Sequence, residues 1–448
     1  MCVDRSRRDT MEKLFSFPLR MHVGAPDAPC VKEGQKVKRG ECIAEPNGLG
    51  AKIHTSVSGI VEKVTDKEII IKADEAQTTE FVKIKKCDNL VDTVFEAGIV
   101  GAGGAGFPTH IKLKSDNKDG YIIANCVECE PALHHNIKVI EETPELIING
   151  VRYAMKATNS AKGYIAIKAK HPEAIASLEK ALKGATDVEV KPLADLYPMG
   201  EERAIINAIF DKWLDVTQLP IEAKCIVMNA ETLANITRAV EEGKPVIDKD
   251  ITVIGKLKSG NKPNIFLQVP VGTPVKDLIE KSGGIDGEYG ELVIGGPYTG
   301  KAGDIEKDSV TKISGGAIVT IPLPEYNGPL GLLVCACGAN EERLRDVATK
   351  MNAEIAGIVD CKNIEYPKGK GNGPGKCKTP GEWPGQAAAV MQLKKDGAKR
   401  ILISNCNDCS NTVMQIAPKA KIPVYHHTDH IFRTIDYTLT RRLKEGEK

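Results

Sequence analysis

Over residues 14–86 the apolar positions fall in short runs that alternate with polar ones and break at glycine. Val31-Lys32-Glu33-Gly34-Gln35-Lys36-Val37 and Ser56-Val57-Ser58-Gly59-Ile60-Val61 show the period of two of a half-buried strand, so a small β barrel-sandwich is predicted here. The turn Asn47-Gly48-Leu49-Gly50 offers no lysine that could carry a swinging cofactor, which favours a docking module. Residues 87–245 change period. Tyr121-Ile122-Ile123-Ala124 and Lys162-Gly163-Tyr164-Ile165-Ala166-Ile167 read as strands, and His171 to Lys183 repeats apolar residues at helical spacing. This alternation predicts a Rossmann-like α/β domain with ligands in the crevice beyond the strand C-termini. Over residues 246–318, short strands such as Phe266-Leu267-Gln268-Val269 and Leu292-Val293-Ile294 bracket a helix at Pro274 to Lys281, a β-grasp-like pattern.

Residues 328–448 alternate again and predict a small C-terminal α/β domain. Gly331-Leu332-Leu333-Val334, Ile355-Ala356-Gly357-Ile358-Val359, Arg400-Ile401-Leu402-Ile403 and Ile422-Pro423-Val424-Tyr425 are its strand candidates. The first three each precede a helical stretch. Tyr366 to Pro384 is dense in Gly, Pro and Lys and reads as a long loop, a length that usually signals function.

Length and charge narrow the function. A chain of 448 residues predicts several domains, and 61 Lys+Arg against 60 Asp+Glu leave no basic field for nucleic acid. No apolar run approaches the ~18 residues of a membrane span, and the charged start to Lys13 has no apolar stretch behind it. A cytoplasmic protein without membrane insertion is expected. A reducing compartment argues against structural disulfides among the thirteen cysteines. Cys2, Cys30, Cys42, Cys87 and Cys225 are expected to be small buried hydrophobes, and the other eight cluster in sequence.

One glycine-rich stretch, Gly101-Ala102-Gly103-Gly104-Ala105-Gly106-Phe107-Pro108-Thr109, follows Ile99-Val100. Such a loop lets backbone N–H groups approach a phosphate, and Lys112 adds positive charge. Three further motifs follow in order: Asn125-Cys126-Val127-Glu128-Cys129-Glu130-Pro131, Tyr197-Pro198-Met199-Gly200-Glu201-Glu202 and Met228-Asn229-Ala230-Glu231-Thr232-Leu233-Ala234-Asn235. Together they resemble the RnfC family and the FMN-bearing 51-kDa subunit of NADH dehydrogenase. Arg20-Met21-His22-Val23-Gly24-Ala25-Pro26 and Val269-Pro270-Val271-Gly272-Thr273-Pro274 resemble the N-terminal and β-grasp (SLBB) domains of RnfC. The resemblance implies that Gly101, Gly103, Gly104, Gly106 and Lys112 cradle FMN. It implies that Asn125, Glu128, Tyr197, Gly200, Glu201, Asn229 and Thr232 complete the flavin pocket, and that Phe107, Glu130 and Glu202 receive NADH. Val127 stands where the respiratory branch has Asp, which puts one flavin contact in doubt.

RnfC proteins continue with two four-iron clusters, each needing a C-x2-C-x2-C-x3-C-P run. This chain lacks that run and has instead Cys335, Cys337, Cys361, Cys377, Cys406 and Cys409. In a parallel sheet the strand ends share one edge, so Cys335, Cys337, Cys361 and Cys406 should meet there, with His426, His427 and His430 following the fourth strand. Cys409, in the first turn of a helix, is expected to be a favoured thiolate and to form a reversible pair with Cys406. Cys335 and Cys337 are further redox candidates, held apart on an extended backbone, and no metal is expected. The tail from Val424 to Thr434 resembles the PrdC family of RnfC-like proteins, which accompany D-proline reductase. Electron transfer from NADH through FMN and redox cysteines to a partner reductase, or to a thiol/disulfide carrier, is therefore the expected function. A flavin-free adaptor and a Cys/His metal-binding protein are the alternatives.

Overall fold

In the computed structural model of the chain, residues 13–380 and 386–438 are described. Cys2 and residues 381–384 of the predicted loop lie outside them. The N-terminal unit is a pair of open antiparallel sheets, one of four strands including Leu14–Pro18, Gly59–Val64 and Glu68–Ala73, the other of three. Phe17, Ile43, Ile53, Ile69 and Ile71 fill the space between them. The strand expected over Val31 to Val37 shrinks to Lys36–Val37, because Gly34 takes a positive φ of 78° and turns the chain before it.

A four-stranded, all-parallel sheet follows in the order Val188–Leu193, Lys162–Lys168, Tyr121–Cys126, Cys225–Asn229. Its central strands are nearly all apolar because helices cover both faces; Pro144–Thr158 and Ala230–Glu242 pack together on one of them. The third sheet is mixed and five-stranded, with the helix Val275–Lys281 against it.

The last sheet is parallel, in the order Glu354–Asp360, Pro329–Val334, Arg400–Ile403, Val424–His426. Residues leaving adjacent strand ends are therefore brought side by side. The predicted Gly/Pro/Lys loop is not wholly irregular: Lys376–Cys377 pairs with Ile364–Glu365 and carries Cys377 back over the sheet edge.

Burial corrects three cysteines. Cys225 is buried as expected, but Cys30 is exposed, and Cys42 and Cys87 are half-buried. Cys30 follows the edge strand Ala28–Pro29 of the small sheet, and Cys87 lies in the segment before the helix Leu90–Glu96, so neither has a second layer to cover it. No helix among the described residues is long and apolar enough to cross a membrane.

Candidate functional site

The glycine-rich stretch forms an exposed turn at Gly103, Gly104 and Ala105. Its base is fixed from behind: the Ala102 N–H donates to Thr232 Oγ1 at 3.0 Å, Thr232 Oγ1 donates to the Val100 carbonyl at 3.2 Å, and the Gly101 N–H reaches the Phe107 carbonyl at 3.0 Å. Gly106 has φ +74° and lies against the His22–Met21 backbone, so a side chain is excluded there. A Cβ on Gly104 would meet nothing within 4 Å, whereas one on Gly103 would meet the Asn229 amide at 2.5 Å. The open shelf is therefore over Gly104, and Gly103 is glycine because Asn229 is behind it.

Lys112, in the helix Thr109–Leu113 that follows the turn, is already engaged. Its Nζ donates to Glu202 Oε1 at 2.7 Å and to the Val227 carbonyl at 2.9 Å. Asn125 Nδ2 donates to the Gly200 carbonyl at 2.9 Å, while Asn229 caps the helix Ala230–Glu242 by accepting the Glu231 N–H at 2.9 Å. Glu201 caps the helix Glu202–Phe210 through the N–H groups of Arg203 and Ala204. These polar residues are thus held in hydrogen bonds with nearby backbone and side chains, and the exposed turn, with Lys112 on the helix that follows it, fits a phosphate-bearing ligand such as FMN.

The two motif carboxylates differ. Burial pushes the Glu128 carboxyl up to about 7, and its oxygens meet the Glu130 N–H at 3.2 Å and Asn136 Nδ2 at 3.3 Å. Glu130, placed by resemblance at the nicotinamide nucleotide, accepts from the Tyr298 N–H at 2.8 Å, the Thr299 N–H at 2.9 Å and Thr299 Oγ1 at 2.6 Å. Its charge is thereby committed to the Gly296–Gly300 loop of the mixed sheet. The motifs along the chain do not single out that loop; the signal that could have found it is its Gly-Pro-Tyr-Thr-Gly pattern, since a Cβ on Gly296 would run into the Glu130 side chain.

Tyr298 leads to the cysteines. Its ring stacks on Tyr197 with centroids 3.6 Å apart and planes 11° from parallel, and its edge contacts include His426, His427 and Phe432. The Tyr197 hydroxyl donates to the Cys337 carbonyl, Arg203 Nη2 donates to the Cys377 carbonyl at 2.6 Å, and the Gly200 N–H donates to Cys129 Sγ at 2.7 Å. Tyr197, Tyr298 and Phe432 share one buried cluster with Cys335, Cys337, Cys361, Cys377, Cys406 and Cys409, and Cys129 packs against it. The segment from Tyr197 to Arg203 and the C-terminal cysteines are thus in direct contact.

Within the cluster the expected roles are rearranged. Val334 ends its strand, so Cys335-Ala336-Cys337 lies in a turn and the two thiols touch. The extended backbone that was to separate them is absent. Cys406 caps the helix Asn407–Ile416 with Cys409 in its first turn, but both sulfurs are buried, at 1% and 2% exposure, under Tyr298, Phe432 and their neighbours. They are not open to a partner in this conformation. Cys409 is not the favoured thiolate either: hydrogen bonding to Cys361 and Cys406, then burial, raises it strongly. Cys361 moves the other way, down to about 3, because Cys335 and Cys409 hydrogen-bond to its sulfur, with Asn363 and Gln386 adding donors against the effect of burial.

The histidines take protein partners. His426 Nε2 lies 2.8 Å from the Asn405 carbonyl, His427 Nε2 3.1 Å from that of Tyr298, and His430 Nε2 2.7 Å from Glu291. Among the described residues, no group of three or more His, Cys, Asp or Glu side chains is arranged to hold a metal ion.

Known proteins resemble parts of this chain. The Nuo51 FMN-binding domain matches residues 94–238, and the RnfC barrel sandwich hybrid domain matches residues 7–86. A component of the Na(+)-translocating ferredoxin:NAD(+) oxidoreductase complex of Acetobacterium woodii is 32% identical over 308 residues, covering 64% of this chain and 69% of the relative. The corresponding component of the proton-translocating ferredoxin:NAD(+) oxidoreductase complex of Clostridium ljungdahlii is 34% identical over 310 residues, covering 65% and 67%. Cobalamin reductase PduS of Citrobacter freundii is 36% identical over 228 residues, covering 51% and 49%. The exposed glycine turn with Lys112 lies inside the FMN-binding match, and the chain belongs to the RnfC family of electron-transfer oxidoreductases.

Proposed function

We propose that this protein takes hydride from NADH onto FMN held at the Gly101–Gly106 turn and passes the electrons to its own C-terminal cysteines. From there they go to a partner reductase or a thiol/disulfide carrier. The observation that carries the reading is the shared buried cluster of Tyr197, Cys129 and the six C-terminal cysteines. Bound FMN would supply two-electron chemistry, taking hydride from a nicotinamide and delivering electrons to a disulfide.

The chain's residues supply the rest. The backbone at Gly103–Ala105 and the Lys112 ammonium hold the phosphate, and Lys112 shares its charge with Glu202. Tyr197 and Tyr298 seal the space between pocket and cysteines, which keeps water from reduced intermediates. Cys335, Cys337, Cys406 and Cys409 cycle between thiols and disulfide, with Cys337 lying nearest to Tyr197 through its carbonyl. D-proline reductase is the acceptor favoured by the resemblance of the Val424–Thr434 tail to the PrdC family.

The test replaces Cys335, Cys337, Cys406 and Cys409 together by Ser. NADH-to-dye activity at the flavin should survive while reduction of a disulfide acceptor stops. A variant that reduces the acceptor at the wild-type rate would remove the cysteines from the path.

A further inference from the structure

The six sulfurs are not equivalent. Cys337 touches Cys335, Cys377 and Cys406; Cys335 touches Cys361; Cys361 touches Cys409; and Cys409 closes back on Cys406. The contacts make a closed five-sulfur circuit, with Cys377 attached at Cys337. Donors converge on one member. Besides the thiols of Cys335 and Cys409, the Asn363 backbone N–H and Gln386 Nε2, the latter at 3.0 Å, point at Cys361 Sγ. Gln386 is itself buried at 1% exposure, so this donor is built into the core and does not exchange with solvent. A buried sulfur surrounded by donors is stabilised as the anion, and the thiolate is the form that attacks disulfides.

We infer that Cys361 is the resting thiolate of the circuit and the sulfur through which a disulfide moves from the Cys337 side to the Cys361 side. The inference deepens the electron-transfer reading above and rests on the cluster being redox-active. The step needs no outside reagent. The Cys361 thiolate attacks Cys335 of a Cys335–Cys337 disulfide, the Cys361–Cys335 bond forms as the Cys335–Cys337 bond breaks, and Cys337 leaves as the thiolate. Oxidation level and charge are conserved, so the exchange relocates the disulfide without consuming electrons. In a second exchange Cys409 attacks Cys361 of the Cys361–Cys335 disulfide: the Cys409–Cys361 bond forms as the Cys361–Cys335 bond breaks, Cys335 leaves as the thiolate, and the Cys409 proton passes by way of Cys406 to the Cys337 thiolate.

The test is thiolate absorbance at 240 nm on the fully reduced, full-length protein without oxygen, followed from pH 8 to pH 2.5, in wild type, Cys361→Ser, Cys406→Ser and Gln386→Leu. Wild type and Cys406→Ser should keep one thiolate equivalent at pH 5 that Cys361→Ser lacks. Gln386→Leu leaves the circuit intact, serves if Cys361→Ser fails to fold, and should move the titration upward by about one pH unit. Equal absorbance in wild type and Cys361→Ser at pH 5, or an unmoved titration in Gln386→Leu, overturns the assignment. Neither NADH nor flavin enters this measurement. A Cys361 thiolate in a protein whose cysteines NADH cannot reduce would sink the electron-transfer reading alone, and loss of that thiolate with NADH-driven reduction intact would sink this inference alone.

Discussion

Glu291 holds the cysteine unit against the mixed sheet, and replacing it by Gln should uncouple the two. Its side chain is 3% exposed and accepts from Arg343 through both Nη atoms, from Lys350 at 2.6 Å and from His430 at 2.7 Å. Burial alone would raise this carboxyl, but the His430 and Arg343 hydrogen bonds and charges outweigh it and hold the group well below the usual carboxylate range. An amide keeps one acceptor atom and turns N–H groups toward donors, so Arg343, 7% exposed, is left with Asp346 as its one carboxylate partner among the described residues. Breaking a buried pair from one side costs about 3–5 kcal/mol. That is roughly two to three and a half orders of magnitude in the docked-to-undocked ratio. Hydrogen exchange at Glu341–Lys350 and Asp429–Thr434 should rise accordingly, and NADH-to-dye activity should persist while transfer to a disulfide acceptor falls. The sign with pH follows from the depressed value. The wild-type advantage is full above the unfolded value of about 4.5 and is lost as pH falls below it, so the two proteins converge in acid. Unchanged exchange in both helices at pH 7 would refute the clamp, and so would a constant wild-type advantage from pH 7 to pH 3.

Three further outcomes are expected. Gly104→Trp should abolish flavin retention without lowering thermal stability, because the new side chain occupies open space over the turn; stoichiometric FMN in that variant would move the site. Glu128→Gln should stabilise the protein at pH 8 and leave it unchanged near pH 4.5, because ionising a carboxyl held at about 7 costs up to about 3 kcal/mol once pH exceeds that value. Denaturant midpoints at the two pH values check this, and an equal effect at both would contradict it. Iron and sulfide should stay far below one four-iron equivalent per chain, since the required cysteine run is missing and the sulfurs already touch one another; a full equivalent would overturn this.

What could be read from the sequence followed one rule of topology. Parallel strands share an edge, so Cys335, Cys361 and Cys406, each following a strand end, are neighbours once the order 354–360, 329–334, 400–403 is made. The glycine run likewise announced the exposed turn at Gly103, Gly104 and Ala105. What escaped depends on contacts across distant segments. Tyr298 stacks on Tyr197 from another unit, and nothing local to either tyrosine encodes that. The thiolate proposed above moves from Cys409 to Cys361 because a helix macrodipole near Cys409 is visible in sequence, whereas Gln386 and Asn363 converge on Cys361 only in three dimensions. The exposure of Cys30 has a related reason: a strand pattern does not tell an edge from a centre, and Cys30 follows an edge strand.

An anaerobic reductive titration with NADH, performed on the air-oxidised, FMN-loaded protein and read by flavin absorbance together with a count of free thiols, tests the central claim most directly. If the pocket feeds the cysteine cluster, NADH should be consumed in at least two equivalents per chain, one bleaching the flavin and the rest appearing as new thiols, two for each further equivalent. Consumption of a single equivalent, with the flavin bleached and the thiol count unchanged, would show that the electrons stop at the flavin.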